Sequence, residues 1–214
     1  MRSMRARIGL FALLAFLALA RPAAALETKL TEVRVAGGSV RASFELTDMF
    51  PAKFQALLEQ GAAIYLRMQV ELWEDRAVWD KLAQPAAITV FRIVLDPATR
   101  QVRIADQYGE VARQPAWQEP VTLSHDLGRA DALSDGAKYY VKALATLGTI
   151  AGSETAQASK AVFGDDDSTV SLAGVGKMLF HAVLQANEYL QSASSEVRSR
   201  GMAGRELKAG IKIQ

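Results

Sequence analysis

The 214-residue chain contains no cysteine and only two histidines, His125 and His181. The lack of cysteine excludes a disulfide framework, a thiolate metal site, a cysteine nucleophile and a lipid-modified N-terminal cysteine. Two histidines are few for a catalytic zinc site, which usually takes two or three of them together with a carboxylate. No segment reaches the roughly 18 consecutive apolar residues of a membrane-spanning helix. We therefore expect no metal, no cofactor and membrane contact that is at most peripheral.

Excess charge of one sign is also absent once the first 25 residues are set apart. The whole chain has 25 Lys plus Arg and 23 Asp plus Glu, which gives a net charge of +2. The first 25 residues hold four arginines and no acidic residue, so the remaining 189 residues have a net charge of −2. A nucleic-acid-binding protein needs a concentrated basic surface, so this composition argues against a nucleic-acid partner.

The first 25 residues have the three parts of a secretory signal peptide. Arginines begin the segment, residues 8–20 form a 13-residue apolar run, and three alanines ending at Ala25 suit a signal peptidase. The apolar run is shorter than the about 20 residues of a membrane span. We expect cleavage after Ala25 and a periplasmic or extracellular mature chain, residues 26–214. The alternative is that the leader is kept as an N-terminal anchor.

Alternation of apolar and polar residues predicts two β-hairpins. The first joins an alternating run that ends at Val35 to residues 40–46 through Gly37 and Gly38, because glycine accepts the positive φ of tight hairpin turns. The second joins residues 86–95 to residues 101–105 through the turn-forming sequence Asp-Pro-Ala-Thr. Further strands are predicted at residues 62–73, 121–123, 138–148 and 194–200.

Two segments have a helical period instead. Residues 51–60 predict a short helix, with Asp48 as its cap and Gly61 as its stop. Residues 171–192 predict a long amphipathic helix that either packs on the sheet or detaches toward a partner. Residues 114–120 predict an irregular loop, and residues 128–135 predict a loop with helical turns. Residues 151–169 predict a mobile loop, and the tail from Gly201 predicts a frayed end.

These elements predict one mainly β domain with no internal repeat and no long linker. The expected architecture is an antiparallel sandwich or a strongly twisted sheet of about six to eight strands. One short helix and one long helix accompany the strands.

Several of these segments resemble a family of bacterial exported proteins known only as a domain of unknown function. The resemblance rests on the exported N-terminus and on LTEVRVAGGSVRASFEL, LLEQGAAIYLRMQVELW, WEDRAVW and ITVFRIVLDPATRQVRI. It covers residues 31–150, with a weaker match at residues 195–200, and the helix predicted at residues 171–192 departs from the family's pattern. Members are often encoded beside a membrane sensor histidine kinase and its response regulator. The resemblance therefore implies a bacterial envelope location and a signalling neighbourhood, but no reaction.

Three groups of residues have the chemistry of a catalytic or metal site. Ser124-His125-Asp126 has the residue types of a triad, but triad partners converge from separate segments and the chain has no G-x-S-x-G elbow, so a capped turn is favoured. Asp165-Asp166-Asp167 could hold Ca²⁺, but it lacks the glycine and distal glutamate of an EF-hand, and acidic residues suit a helix start. His181 falls on the polar side of the predicted long helix. We predict no catalytic residue and no metal ligand.

The strongest candidate site is aromatic. Tyr65, Arg67 and Trp73 alternate on the strand face opposite the aliphatic one, and Trp79 follows in the next connection. Aromatic residues with arginine on a wet face are typical of interface hot spots. The alternative is that a helix or loop covers this face and makes it a second core.

Together these patterns predict a non-catalytic exported binding module. Its partner is an unknown envelope protein or a small ligand, and the family resemblance adds an envelope-sensing two-component system as its setting. The alternative is a periplasmic hydrolase whose catalytic residues converge in space.

Overall fold

The computed structural model describes residues 26–150, 189–209 and 211–212, and these residues form two antiparallel sheets around a shared core. The mainly antiparallel β fold predicted from the sequence is confirmed. The predicted signal peptide, the predicted mobile loop and residues 171–188 of the predicted long helix lie outside the described residues. The strands are β1 (Glu27–Ala36), β2 (Ser39–Thr47), β3 (Ile64–Asp75), β4 (Lys81–Leu82), β5 (Ala87–Asp96), β6 (Gln101–Asp106), β7 (Gly109–Pro115), β8 (Val121–Arg129), β9 (Lys138–Ile150), β10 (Tyr189–Arg198), β11 (Met202–Ala203) and β12 (Ile211–Lys212). The α-helices are α1 (Ala52–Glu59) and α2 (Gly204–Ala209), and Ala130–Ala132 forms one turn of 3₁₀ helix.

The two sheets differ in size. The small sheet has the strand order β12-β1-β2-β8, and the large sheet has the order β10-β9-β3-β5-β6-β7, with β4 beside β3 and β11 beside β9. Alternate side chains of β2, such as Phe44, and of β3, such as Leu66, belong to one buried cluster. The backbone N–H of Thr28 in β1 donates to the Oγ of Ser195 in β10 at 3.0 Å, which ties the sheets together at one margin. The fold is therefore a two-layer sandwich stabilised mainly by the burial of these alternating apolar faces.

Both predicted hairpins are present. Gly37 and Gly38 connect β1 to β2 with φ values of 60° and 82°, in the left-handed region that glycine occupies without strain. In the β5–β6 turn, the Oδ1 of Asp96 accepts the N–H groups of Ala98 at 2.9 Å and Thr99 at 3.3 Å. These side-chain bonds are the reason that aspartate favours such turns.

The short helix is confirmed, but its predicted cap is wrong. Pro51 occupies the N-cap position of α1 and no side chain caps the helix. Asp48 lies outside the helix at a φ of 57°, and its backbone N–H donates to the carboxylate of Glu119 at 2.8 Å. Glu119 therefore holds the approach to α1 from a distant part of the chain, a role that local capping rules do not reveal.

The segment between β6 and β9 is more regular than the sequence predicts. β7 runs through residues that we expected to lie partly in a loop, and β8 extends to Arg129 rather than ending near residue 123. The strand predicted at residues 121–123 ends too early because His125 occupies a core position between Leu123 and Leu127. A histidine at that position interrupts the apparent alternation of apolar and polar residues. The irregular loop predicted at residues 114–120 is confined to the residues between Pro115 and Val121.

The C-terminal expectations are partly wrong. Residues 189–192, predicted as the end of the long helix, belong to β10, which pairs with β9 and includes the strand predicted at residues 194–200. In the described part of the tail, residues 201–209 and 211–212, the expected fraying is wrong, because Met202 and Leu207 are buried and β12 pairs with β1. Apolar residues in this tail thus complete the core.

None of the helices in the described ranges has the length and apolar character needed to cross a lipid bilayer.

Candidate functional site

The outer face of β3 is the first candidate surface, and it is partly covered. Tyr65 is only 4% exposed, whereas Arg67 and Trp73 are half-buried. β3 is a central strand flanked by β5 and β9, so its outward side chains stand between those of both neighbours, and Val90 and Thr146 on these neighbours are also buried. The expectation that Tyr65 lies on a wet binding face is therefore wrong, because its side chain is buried.

A row of hydrogen bonds occupies the rest of this face. Arg67 donates from Nη2 to the Oε1 of Gln69 at 3.0 Å. Gln69 donates from Nε2 to the Oε1 of Glu71 at 2.6 Å, and Trp73 donates from Nε1 to the Oε2 of Glu71 at 2.8 Å. Residues two apart share one face of a strand, which allows this sequence of bonds. The side chains of Arg67 and Trp73 are thus hydrogen-bonded to neighbouring side chains on the outer face of β3.

The connection between β3 and β4, residues 76–80, is named here the Trp79 loop. Trp79 is 81% exposed and its neighbour Val78 is 77% exposed. Arg76 forms a two-bond ion pair with Glu74 through Nε at 2.9 Å and Nη2 at 2.8 Å. This pair lowers the pKa of Glu74 and raises the pKa of Arg76. The loop therefore presents two apolar side chains to solvent beside an ordered pair of charges.

Asp80 ties the far end of the Trp79 loop to the large sheet. Its Oδ2 accepts the hydroxyl of Tyr140 at 2.8 Å and lies 3.9 Å from the Nη2 of Arg198. The guanidinium carbon of Arg198 lies 3.7 Å from the centre of the Tyr140 ring, a cation–π contact. The bond from Tyr140 is the main cause of the lowered pKa of Asp80, and burial is the main cause of the raised pKa of Tyr140. Side chains from β9 and β10 thus fix the base on which Trp79 stands.

The residues of the Ser124-His125-Asp126 sequence point to opposite faces of β8. His125 is buried at 4% exposure, between the rings of Phe44 and Phe91 at centroid distances of 5.9 and 5.6 Å. Burial lowers its pKa to about 4. Ser124 and Asp126 face solvent on the other side, as strand alternation requires. The prediction that these residues form no triad is consistent with this geometry, whereas the capped turn favoured for them is wrong.

A cleft of about 540 Å³ separates β5 from β8, and sequence analysis did not find it. Phe91 of β5 and Leu123 of β8 are among its apolar lining residues, and Tyr108, 89% exposed, and Val111 also border it. The cleft joins strands that are about 35 residues apart in the sequence, so no local pattern marks it. One indirect signal was present in the sequence. Residues 101–105, the predicted partner strand of residues 86–95, are too few to pair along the whole of that strand.

The remaining sequence-based candidates, His181 and residues 165–167, lie outside the described residues. Within the described ranges, no group of three or more His, Asp or Glu residues is placed to hold a metal ion. No family model, no curated protein and no solved structure matches the chain. Function is therefore inferred here from the geometry of the Trp79 loop and the cleft.

Proposed function

We propose that this protein is a non-catalytic, exported binding module that contacts an envelope protein through the Trp79 loop. The observation that carries the proposal is the 81% exposure of Trp79 on a loop with a fixed base. Tryptophan is among the residues most enriched at interface hot spots, because one rigid ring supplies a large contact area at little entropic cost. A loop whose base is already held in place loses less freedom on binding than a mobile loop does.

The surroundings of Trp79 have the anatomy of a small interface. Trp73, Val78, Trp79 and Leu82 follow one another within ten residues, and Leu82 stands opposite Trp73 in the β3–β4 ladder. The Glu74–Arg76 pair and the Asp80–Arg198 pair lie in and beside the same loop. An apolar centre with a charged rim is the common composition of protein–protein interfaces.

The leader pattern is the basis for proposing export, and the family resemblance is the basis for proposing an envelope setting. A partner in the same compartment is required, and a periplasmic part of a membrane sensor is the partner that the resemblance suggests. The exposed apolar side chains of the Trp79 loop, flanked by charged residues, have the composition of a protein–protein contact surface.

The hydrolase alternative has weaker support. A general base works best with a pKa near the operating pH and must reach its substrate. His125 has a pKa of about 4 and is buried in an apolar core, and Ser124 and Asp126 point away from it.

Crosslinking tests the proposal. A photo-reactive amino acid is placed at position 79, or at the exposed position 53 of α1, which lies outside both the Trp79 loop and the cleft, and adducts formed in intact envelopes are identified. The captured protein is then purified, and its affinity is measured for the parent protein, Trp79→Ala and Lys53→Ala.

We expect one defined adduct from position 79, and about 30-fold weaker binding by Trp79→Ala at unchanged thermal stability. Lys53→Ala should bind that protein as the parent does. Identical adducts from both positions, or equal affinity of all three proteins, would contradict the proposal.

A further inference from the structure

The inter-sheet cleft lies between two strand edges that have no partner strand in the part of the chain that the structure describes. β6 pairs with β5 only from Arg92 to Asp96, because the β6–β7 hairpin turns back at Gln107 and Tyr108. Residues 87–91 of β5 consequently pair with β3 on one side alone. β8 pairs with β2 on one side alone, since it ends the small sheet.

These two edges carry few of the features that usually prevent edge strands from pairing, although β8 has a bulge between Asp126 and Arg129. Natural edge strands carry lysine, proline, inward charges or bulges that block a further strand. Residues 87–91 read AITVF and residues 121–127 read VTLSHDL, with Asp126 as the single charged residue of both stretches. β7, which ends the large sheet, instead carries Glu110 and Arg113 and finishes at Pro115. The less protected edges are thus the ones that border the cleft.

The lining of the cleft has two kinds of surface on opposite faces of β8. Thr122, Ser124 and Asp126 project on the exposed face. Leu123 and His125 project on the other face, where His125 meets Phe91 of β5. A strand added beside β8 would therefore place alternate side chains against a polar surface and an apolar surface, because strand side chains alternate with a period of two.

The polar groups of the cleft favour a ligand that donates hydrogen bonds and carries positive charge. Asp106 and Asp126 line the cleft, and its described lining includes no lysine or arginine. Their Oδ1 atoms accept backbone N–H groups of Tyr108 at 2.7 Å and Gly128 at 2.9 Å. The Oε1 of Gln107 is buried and accepts no hydrogen bond from the described residues. A buried acceptor without a donor is costly, and an N–H group of a ligand would remove that cost.

We propose that the cleft binds one extended segment of a partner protein, which adds as a strand along the free edge of β8. Backbone hydrogen bonds to β8 supply affinity, as in other cases of β-strand addition. Alternate basic side chains of the segment face Asp126 and Asp106, and the intervening apolar side chains face Phe91 and Leu123. This site is separate from the Trp79 loop and does not rest on the function proposed for it.

The dimensions of the cleft favour a single segment over a second copy of this chain. Its volume of about 540 Å³ falls in the range of small-ligand sites, roughly 300–1,000 Å³. An edge strand of a second copy would bring its own sheet with it. The β6–β7 turn, with Tyr108 at its tip, stands beside the opening, and a single extended segment needs less room there than a whole sheet.

A defined peptide tests the proposal on the full-length mature protein. The probe is the capped heptapeptide Lys-Val-Lys-Val-Lys-Val-Lys, and calorimetry measures its affinity. One comparison peptide carries N-methyl groups on alternate residues, which removes backbone donors, and another has Glu in place of every Lys. We expect saturable binding of the probe and at least about tenfold weaker binding of both comparison peptides. No binding of the probe, or equal binding of the N-methylated peptide, overturns the proposal.

Variants locate the binding on the cleft. Asp126→Asn keeps an Oδ1 acceptor for Gly128 but removes the negative charge, so we expect about three- to tenfold weaker binding of the probe. Thr122→Lys adds a positive charge on the exposed face of β8 and should weaken binding of the probe further. Ala98→Lys places the same charge on the exposed β5–β6 turn and should leave binding of the probe unchanged. Trp79→Ala should also leave probe binding unchanged, which separates this test from that of the Trp79 loop.

Hydrogen exchange distinguishes the other occupants of the cleft. Amides of residues 87–91 and 121–127 that point away from β3 and β2 should exchange rapidly in the free protein and slowly with the probe bound. If they are already protected in the monomer, a segment of the chain itself fills the cleft and the proposal fails. If protection requires a dimer that Thr122→Lys abolishes, the occupant is a second copy and the proposal also fails.

Discussion

The Nε2 atom of His125 lies 3.3 Å from the sulfur atom of Met68, inside the core that the two sheets share. The imidazole also meets Phe44 and Phe91 edge-on, so its surroundings are apolar on several sides. This environment favours the neutral ring and lowers the pKa of His125 to about 4. The unfolded chain, where histidine titrates near pH 6.5, binds the proton more readily than the folded protein.

The first prediction follows from this difference. The contribution of His125 to stability is complete above about pH 6.5 and is lost as the pH falls toward 4, because unfolding then takes up a proton. Urea unfolding at pH 7 and pH 4.5 should show that the parent protein loses about 2–3 kcal/mol more than His125→Leu does. An equal loss in the two proteins would mean that His125 is protonated within the fold.

The second prediction concerns the two faces of β3. Leu66 is completely buried between the sheets, whereas Gln69 is half-buried on the outer face and bonds to Arg67 and Glu71. Leu66→Ala should lower the free energy of unfolding by about 2–5 kcal/mol. Gln69→Ala should lower it by less than about 1.5 kcal/mol. Chemical denaturation of both variants checks the register of the strand, since similar losses would contradict it.

The third prediction tests the role of Glu119. Its carboxylate accepts three consecutive backbone N–H groups, from Asp48 at 2.8 Å, Met49 at 2.8 Å and Phe50 at 3.3 Å. Glu119→Ala leaves these donors without the carboxylate and should cost about 2–4 kcal/mol of unfolding free energy.

A matched acidic residue provides the control for Glu119. Among the described residues, the side chain of Glu59 forms an exposed ion pair with Arg100 at 3.6 Å and no other polar contact, so Glu59→Ala should cost less than about 1 kcal/mol. Comparable denaturation midpoints for Glu119→Ala and Glu59→Ala would show that the three amide bonds contribute little.

The fourth prediction tests the packing of the C-terminal segment. A Cβ atom on Gly204 would lie 2.0 Å from the backbone oxygen of Ser134, whereas a Cβ on Gly136 would meet no atom within 4 Å. Gly204→Ala should therefore lower the free energy of unfolding by at least about 2 kcal/mol, and Gly136→Ala should change it little. Thermal unfolding of the two variants tests whether the C-terminal segment is packed. If it is not packed, both substitutions should leave the stability unchanged.

The parts of the fold that the sequence predicts well are those with local causes. The β1–β2 hairpin follows from glycines that take positive φ, and β3 follows from five alternating apolar residues. The C-terminal tail has no such local signal, because Met202 and Leu207 gain their places only from elements already assembled around them. The length of β8 was also hidden, since a histidine is rarely read as a core residue.

The candidate sites show the same division. Residue type alone drew attention to Trp79, and the structure places it at 81% exposure. Tyr65 is also an aromatic residue on the polar side of an alternating pattern, yet it is only 4% exposed, and alternation along one strand does not reveal what lies over that face. The inter-sheet cleft could not be predicted, because it depends on where the β6–β7 hairpin turns relative to the far end of β5.

The ladder between β1 and β12 has a consequence for how the protein is made. Glu32 in the first strand pairs with Lys212 in the last, so the small sheet joins the opposite ends of the described chain. A ribosome delivers the chain in order, so β1 must wait for this partner until all of the residues between the two strands have been made. The final closure of the sandwich is therefore a late event, and a chain whose translation stops early leaves an edge of β1 uncovered.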